Sequence, residues 1–290
     1  MDHLGPDAVL TAMLNAGIRK ARLKRRDLLM RGAISGALLG AATSLALAVT
    51  VQTGQSIVGA LVFPAGFVMI VLLGLELVTG SFALLPLAWL ERRIGAAEVL
   101  RNFGWVFLGN LLGSVLYAVL LVTALSMMGS ATQLDPLAAK LIAVATAKTL
   151  VYEHAGLAGL VTAFVKAMLC NWLVCLGVVM SMISTSTVGK ICAAWLPIVV
   201  FFAQGFEHSV VNMFVIPAGM MLGAKVGIGD WWLWNQLPVT LGNLIGGFAL
   251  TGLPLYVTWR NAGTRASAPA AAAPLMPLPD APAEAAVSAS

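Results

Sequence analysis

The sequence predicts an all-α membrane protein with six transmembrane helices. Hydrophobic residues make up 60% of the 290-residue chain and charged residues 10%, whereas an ordinary soluble domain has about 25% charged residues. The mean hydropathy is +0.93. Apolar runs of spanning length recur along the chain, and this recurrence is typical of a multi-pass membrane protein.

Charge and cysteine content argue against several other classes. The net charge of +5 could indicate nucleic-acid binding, but seven of the 17 Lys and Arg residues precede residue 32, beside the first apolar run. A membrane surface explains them better. Cys170, Cys175 and Cys192 form no CxxC pair and have no histidine at ligand spacing. We therefore expect no metal site, no cofactor and no nucleic-acid partner.

Residues 1–31 are predicted to be a cytoplasmic N-terminal segment. Within it, residues 7–31 are predicted to form a basic amphipathic helix on the membrane surface. Its apolar residues recur at spacings of three and four, opposite Arg and Lys. A solvated charged segment is one alternative. A cleaved signal peptide ending near Ala46-Leu47-Ala48 is another, although the leader is long and the run over 33–51 approaches spanning length.

The predicted six-helix channel domain covers residues 32–260. Its spans are residues 33–51, 57–90, 103–128, 164–185, 191–223 and 234–259. A short amphipathic helix with Lys140 and Lys148 is expected between the third and fourth spans. Lys166 is expected in the first turn of the fourth span, from where it can reach water. Residues 261–290 are rich in Ala and Pro and are predicted to be a disordered cytoplasmic tail.

The second and fifth runs are predicted to be broken helices. The run over 191–223 would make a helix of about 50 Å, whereas the hydrocarbon core is roughly 30 Å thick. Each run contains a glycine-flanked carboxylate, in Gly74-Leu75-Glu76 and in Gly205-Phe206-Glu207. A break at mid-depth is tolerated only where the backbone lines a cavity or is buried in protein. Each run is therefore predicted to form two half-helices.

The two halves of the chain repeat each other. A Gly-Asn motif follows each glycine-flanked glutamate at nearly equal spacing, with Asn110 after Glu76 and Asn243 after Glu207. Because each half has three spans, the second repeat must be inverted relative to the first. Inverted repeats with interrupted helices point to a site near the membrane midplane.

The distribution of basic residues predicts that both termini are cytoplasmic in an inner (cytoplasmic) membrane. Lys and Arg are concentrated on the side of the N-terminal arm. With six spans, the opposite side holds only Lys140, Lys148, Lys166 and Lys225.

The polar residues at the breaks suggest a site for a small anion. The N-terminus of a half-helix presents unsatisfied N–H groups to an anionic solute. Thr79 offers a hydroxyl donor, and His208 offers a ring that can donate to an anion or exchange a proton with a weak acid. Glu76 and Glu207 are interpreted mainly as structural acceptors for the freed backbone N–H groups, with proton transfer as the alternative.

Each of these residues also has a plainer interpretation. His208 could be a packed, hydrogen-bonded histidine, and the Thr79 hydroxyl could bond to its own helix. Asn171 could join two helices or be a partner for His208. Lys148 could be a solvated lysine or an anion attractor at the outer mouth.

Three motifs resemble those of the formate/nitrite transporter family. They are Glu76-Leu77-Val78-Thr79-Gly80, Asn171-Trp172-Leu173-Val174-Cys175-Leu176, and Gly205-Phe206-Glu207-His208-Ser209 with Asn212-Met213-Phe214. The resemblance implies an aquaporin-like fold, a homopentamer in the lipid bilayer and one pore in each protomer. It also implies that Thr79 and His208 lie on the breaks of spans two and five, with Asn171 near the histidine.

The same resemblance implies two apolar constrictions. Phe67 and Phe201 would form one of them. Leu77, Val78 and Val174 would form the other. Val78 stands where formate channels usually have a bulkier aromatic residue, and the segment between Lys148 and Asn171 is longer than usual.

These observations predict passive or proton-coupled passage of a small monovalent anion. Formate is the first candidate, followed by nitrite, and then by hydrosulfide or a short carboxylate. A channel for water or a neutral solute would share the fold but would have less use for His208. An intramembrane enzyme with Glu207 and His208 as an acid/base pair is the alternative from another class. It has no nucleophile, metal or cofactor motif, so we do not expect an enzyme.

Overall fold

The fold was analysed in a computed structural model that describes residues 3–266, with side chains described to residue 260. In chain order the α-helices are α1 (Pro6–Arg22), α2 (Arg25–Thr53), α3 (Ser56–Val62), α4 (Pro64–Leu72), α5 (Val78–Leu90), α6 (Ala96–Leu125), α7 (Pro136–Lys148), α8 (Leu150–His154), α9 (Leu157–Ile183), α10 (Thr187–Ala203), α11 (Ser209–Met221), α12 (Ile228–Trp231), α13 (Leu237–Gly247) and α14 (Leu253–Ala266). Residues 261–266, expected in the tail, continue α14. The rest of the predicted tail lies outside the described residues.

Six membrane crossings are formed by these helices, with α1, α7 and α8 outside the crossings. Four helical segments are long and apolar enough to cross on their own: α2, α6, α9 and the continuous segment Ile228–Arg260 that comprises α12, α13 and most of α14. The other two crossings are broken, α3 and α4 being followed by α5, and α10 by α11. The predicted fold class, with interrupted second and fifth spans, is therefore confirmed.

The N-terminal helix differs from the prediction in length and in what it contacts. It ends at Arg22, and α2 begins at Arg25, so a single helix over 7–31 is wrong. Its apolar face packs against protein rather than lipid, because Val9, Leu10 and Met13 share one buried cluster with residues of α5, α9 and α14.

Small residues set the distance between the long helices. A Cβ added at Gly113 of α6 would lie 1.8 Å from the Ala33 oxygen of α2. At Gly246 of α13 it would lie 2.1 Å from the Met168 oxygen of α9. Such close backbone approach is characteristic of helix pairs in membranes, where packing rather than hydrophobicity drives association. The α2/α6 and α9/α13 pairs are equivalent in the two repeats.

The fourth span starts earlier than predicted. Helix α9 begins at Leu157 rather than near Phe164, so Lys166 lies well inside the helix rather than in its first turn. Its Nζ lies 5.8 Å from the ring centroid of Tyr152, a distance at which an ammonium interacts with an aromatic face.

The sixth crossing contains two π-helical turns, at Trp232–Gln236 and at Phe248–Gly252. Such turns are rare and are frequent near functional sites. The first turn contains Asn235, which is fully buried and reaches the second helix break.

Candidate transport site

The two helix breaks have the same backbone geometry. After α4 and after α10 the chain turns at Gly74 and Gly205, with φ of 62° and 63°. The next N–H group donates back to the helix, from Leu75 to the Ile70 oxygen at 3.0 Å and from Phe206 to the Phe201 oxygen at 3.2 Å. A left-handed residue is needed for this closure, and glycine adopts it without steric cost.

A buried asparagine caps each half-helix that follows a break. Asn110 Oδ1 accepts from Val78 N at 3.0 Å. Its Nδ2 donates to the backbone carbonyl oxygens of Glu76 and Gly32, at 3.0 and 2.9 Å. This side chain therefore holds the break, the start of α5 and helix α2 together.

The second half repeats this arrangement atom for atom. Asn243 Oδ1 accepts from Ser209 N at 2.8 Å. Its Nδ2 donates to the backbone carbonyl oxygens of Glu207 and Ala167, at 2.9 and 2.8 Å. The expectation that the Glu76 and Glu207 carboxylates accept the freed backbone N–H groups is wrong. The asparagines fill that role, and the carboxylates bond to lysines.

Each carboxylate forms an ion pair with a lysine from a flanking helix. Lys20 of α1 lies 2.9 Å from Glu76 Oε2, and Lys148 of α7 lies 2.8 Å from Glu207 Oε2. The glutamate side chains are 3% and 2% exposed, and the lysines 20% and 16%. The repeat therefore extends to α1 and α7, each of which brings a lysine to a break.

Further amide groups support both lysines. Asn102 Nδ2 donates to the Lys20 oxygen at 3.0 Å, and Asn235 Nδ2 donates to the Lys148 oxygen at 2.8 Å. The second carboxylate has additional donors: Asn212 at 2.8 Å and Asn235 at 3.3 Å on Oε2, and the Tyr152 hydroxyl at 2.8 Å on Oε1. For Glu76 the described part of the chain offers Lys20 alone.

His208 and Thr79 meet at the centre of the molecule. His208 Nε2 lies 3.1 Å from Thr79 Oγ1, and both residues are buried. His208 Nδ1 accepts from Val211 N at 3.3 Å. In a neutral ring this assigns the proton to Nε2, which then donates to Thr79. The threonine hydroxyl keeps its own proton for another acceptor.

Asn171 lies beside this pair but does not bond to His208. Its Nδ2 donates to the backbone carbonyl oxygens of Thr79 and Asn243, at 3.1 and 2.6 Å. Cys175 Sγ also donates to the backbone carbonyl oxygen of Thr79, at 3.4 Å. Asn171 therefore joins helices and fixes the backbone at Thr79. Of its two interpretations, this contact agrees with the one in which it joins two helices.

Two cavities lie beside the helix breaks, one lined by Glu76 and Leu77 and the other by His208. The first vestibule, of about 360 Å³, is bounded by Lys20, Glu76, Phe67 and Leu77. The second vestibule, of about 200 Å³, is bounded by Lys140, Lys148, Phe201 and His208. Each vestibule is therefore lined by a lysine and by apolar side chains.

The aromatic contact of Phe201 is not with Phe67, the partner that the resemblance implies. Phe67 and Phe201 line different vestibules. Phe63, one helical turn before Phe67, contacts Phe201 instead, with ring centroids 5.6 Å apart and an edge-to-face angle of 88°. The Phe201 ring also stacks on His208, at 5.8 Å and 21°. Leu77, Val78 and Val174 are buried in one apolar cluster.

Three residues in this region were missed by sequence reasoning as site residues: Phe63, Lys20 and Tyr152. Lys20 was assigned only to a surface helix. Lys20 of α1 and Lys148 of α7 occupy equivalent places in the two repeats, but this equivalence becomes visible only once both ion pairs are known. No sequence signal distinguished Tyr152.

The inverted repeats, the paired helix breaks and the vestibules beside them are those of a membrane channel or transporter. The family model of the formate/nitrite transporters matches residues 7–257, and the chain belongs to this family. Its biochemical role is therefore transport rather than enzymatic catalysis.

Individual relatives agree with this assignment. A probable formate transporter of Methanothermobacter thermautotrophicus is 41% identical over 68% of this chain and 73% of its own length. A solved FNT family ion channel is 27% identical, with a TM-score of 0.75 over 86% of this chain and 98% of its own. A pentameric formate channel with formate bound is 25% identical, with a TM-score of 0.66 over 81% and 98%.

Proposed function

We propose that this protein conducts a small monovalent anion of a weak acid, formate first, across the cytoplasmic membrane as a homopentamer. The observation that most supports this is the buried His208–Thr79 hydrogen bond. His208 lines the second vestibule with Lys148, and Leu77 and Gly80, beside Thr79, line the first with Lys20. The similarity to a pentameric channel with formate bound supports both substrate and assembly. Both termini are assigned to the cytoplasm, where the positive-inside rule places basic residues.

In the proposed pathway the anion is first captured electrostatically. Lys148 and Lys20 are both partly exposed in their vestibules, and a cation at the mouth of a low-dielectric cleft raises the local anion concentration. Residues 1–31 flank the channel domain on the cytoplasmic side in this assignment, and α7 lies at the outer mouth.

The anion then loses its water between apolar side chains. Phe63 and Phe201 form the outer constriction, and Leu77, Val78 and Val174 form the inner one, with Phe67 on the same inner side. Stripping water from an anion in such surroundings is costly unless donors replace it. Thr79 provides that donor, and Asn171 keeps it in place.

His208 sets the protonation chemistry. An anion beside the ring favours a proton on it, and the neutral acid crosses an apolar constriction at lower cost than its anion. Transient proton exchange at His208 would therefore link permeation to pH. Nitrite and hydrosulfide, which are also conjugate bases of weak acids, are the alternative substrates.

The test is uptake of formate and nitrite into proteoliposomes at two pH values. We expect the wild type to pass at least one anion and His208→Asn to lose its pH response while assembling normally. His154→Asn is the matched control, because His154 is exposed on α8, and it should retain the pH response. If neither anion enters the wild-type vesicles, the substrate assignment is wrong.

A further inference from the structure

We propose that Tyr152 is a positioning residue for anion capture, whose hydroxyl holds the Glu207 carboxylate so that the Lys148 ammonium remains available in the second vestibule. This inference rests on the proposed function, because it assigns Lys148 to the capture of the transported anion. It concerns a residue that has no counterpart at the Lys20–Glu76 pair among the described residues.

The local fold brings Tyr152 to the ion pair. Helix α7 ends at Lys148, and the short helix α8 follows after Thr149. The chain then reverses at Gly156, with φ of 58°. A Cβ added at Gly159 of α9 would lie 2.0 Å from the backbone carbonyl oxygen of Tyr152, so α8 packs directly on the α9 backbone. This contact fixes the tyrosine beside Glu207.

The donors on the carboxylate are divided unevenly. Oε2 of Glu207 accepts from Lys148, Asn212 and Asn235. Oε1 accepts from the Tyr152 hydroxyl, its sole partner among the residues described. The hydroxyl therefore satisfies the oxygen that the lysine leaves open.

The tyrosine can act only as a donor in this setting. Burial, the Glu207 charge and the hydrogen bond to it raise the pKa of Tyr152 above its usual range, so the phenol keeps its proton. The ammonium of Lys166 lies on the ring side, 5.8 Å from the centroid, and leaves the hydroxyl free for the carboxylate.

Removal of the hydroxyl would redistribute the lysine. A buried carboxylate oxygen without a donor is unfavourable, and Lys148 is the nearby group with N–H bonds to spare, since it makes a single hydrogen bond to the described residues. By bridging both oxygens of Glu207, the ammonium would withdraw from the vestibule. The rim of the vestibule would then attract an anion less well.

The first test is the concentration dependence of formate and nitrite uptake by Tyr152→Phe, which keeps the ring packing against Ala163 and Ala167. We expect the half-saturating concentration to rise several-fold with an unchanged maximal rate and pentamer yield. The rise should disappear in a Lys148→Met background, because a residue that acts through Lys148 has no effect without it. Tyr117→Phe, which removes a hydroxyl bonded to Ser44, should behave as wild type.

The second test needs no transport. Lys148 should be reductively methylated by formaldehyde and a borane reductant several-fold more slowly in Tyr152→Phe than in wild type, as followed by mass spectrometry. Lys20, paired with a glutamate but with no tyrosine, is the internal reference and should not change.

Three results would overturn the proposal: an unchanged half-saturating concentration, an effect that persists without Lys148, or an unchanged methylation rate of Lys148. If the wild type transports neither anion, the proposed function fails separately. The methylation rate then still decides whether Tyr152 positions the lysine.

Discussion

The two helix breaks are built on one plan but differ in several side chains. Each has a glycine turn, a capping asparagine and a lysine–glutamate pair with nearly equal distances. At the second break, however, His208 stands where the first has Leu77, Asn212 stands where the first has Ser81, and Tyr152 is added.

This difference separates the roles of the residues. Groups present at both breaks stabilise an interrupted helix within the membrane, where every exposed backbone N–H must find a partner. Groups present at one break alone are those to which the proposed function assigns chemistry. The single histidine meets Thr79 of the other repeat, so the two repeats together form one asymmetric site.

The largest effect is expected when either cap is removed. Asn110→Ala and Asn243→Ala each leave a buried N–H and one carbonyl of the break, that of Glu76 or Glu207, without the asparagine as partner, which costs on the order of 3 kcal/mol. Both variants should lower the apparent Tm of the purified protein by a similar amount. Thr123→Ala, whose exposed hydroxyl bonds only within α6, should not. A large loss for one asparagine alone would show that the breaks are not equivalent.

A smaller effect is expected from the lysines. Lys148→Ala should reduce uptake roughly tenfold at low ionic strength, and less in high salt, because salt screens exposed charges. Lys20→Ala should act in the same way from the opposite mouth, as measured in vesicles of defined orientation. Lys148→Arg should retain most of the activity. A loss that is independent of salt would argue against steering.

The smallest effect concerns the aromatic residues. Phe63→Ala and Phe201→Ala should each raise acetate uptake relative to formate by a few-fold. Because the two rings touch, the double variant should gain less than the sum of the single effects. Phe67 lies in the other vestibule, so its effect should add independently to that of Phe201. Strong coupling between Phe67 and Phe201 would contradict this assignment.

The fold was largely predictable from sequence because the determining features are local. Overlong apolar runs, the glycines beside each glutamate and the repeated spacing from Glu to Asn are all visible in the sequence. The partner of each carboxylate was not predictable, because Lys20 and Lys148 come from helices distant in sequence from Glu76 and Glu207. The contact between Phe63 and Phe201 was also missed, since Phe63 and Phe67 lie four residues apart on one helix face.

The central claim is that His208 and Thr79 act as one unit. The most direct measurement is the pH dependence of formate uptake by His208→Asn, Thr79→Val and the double variant. If the 3.1 Å hydrogen bond couples them, each single variant should lose most of the pH response, and the double variant should lose little more. A Thr79→Val protein with the wild-type pH response, or effects that simply add, would contradict the account.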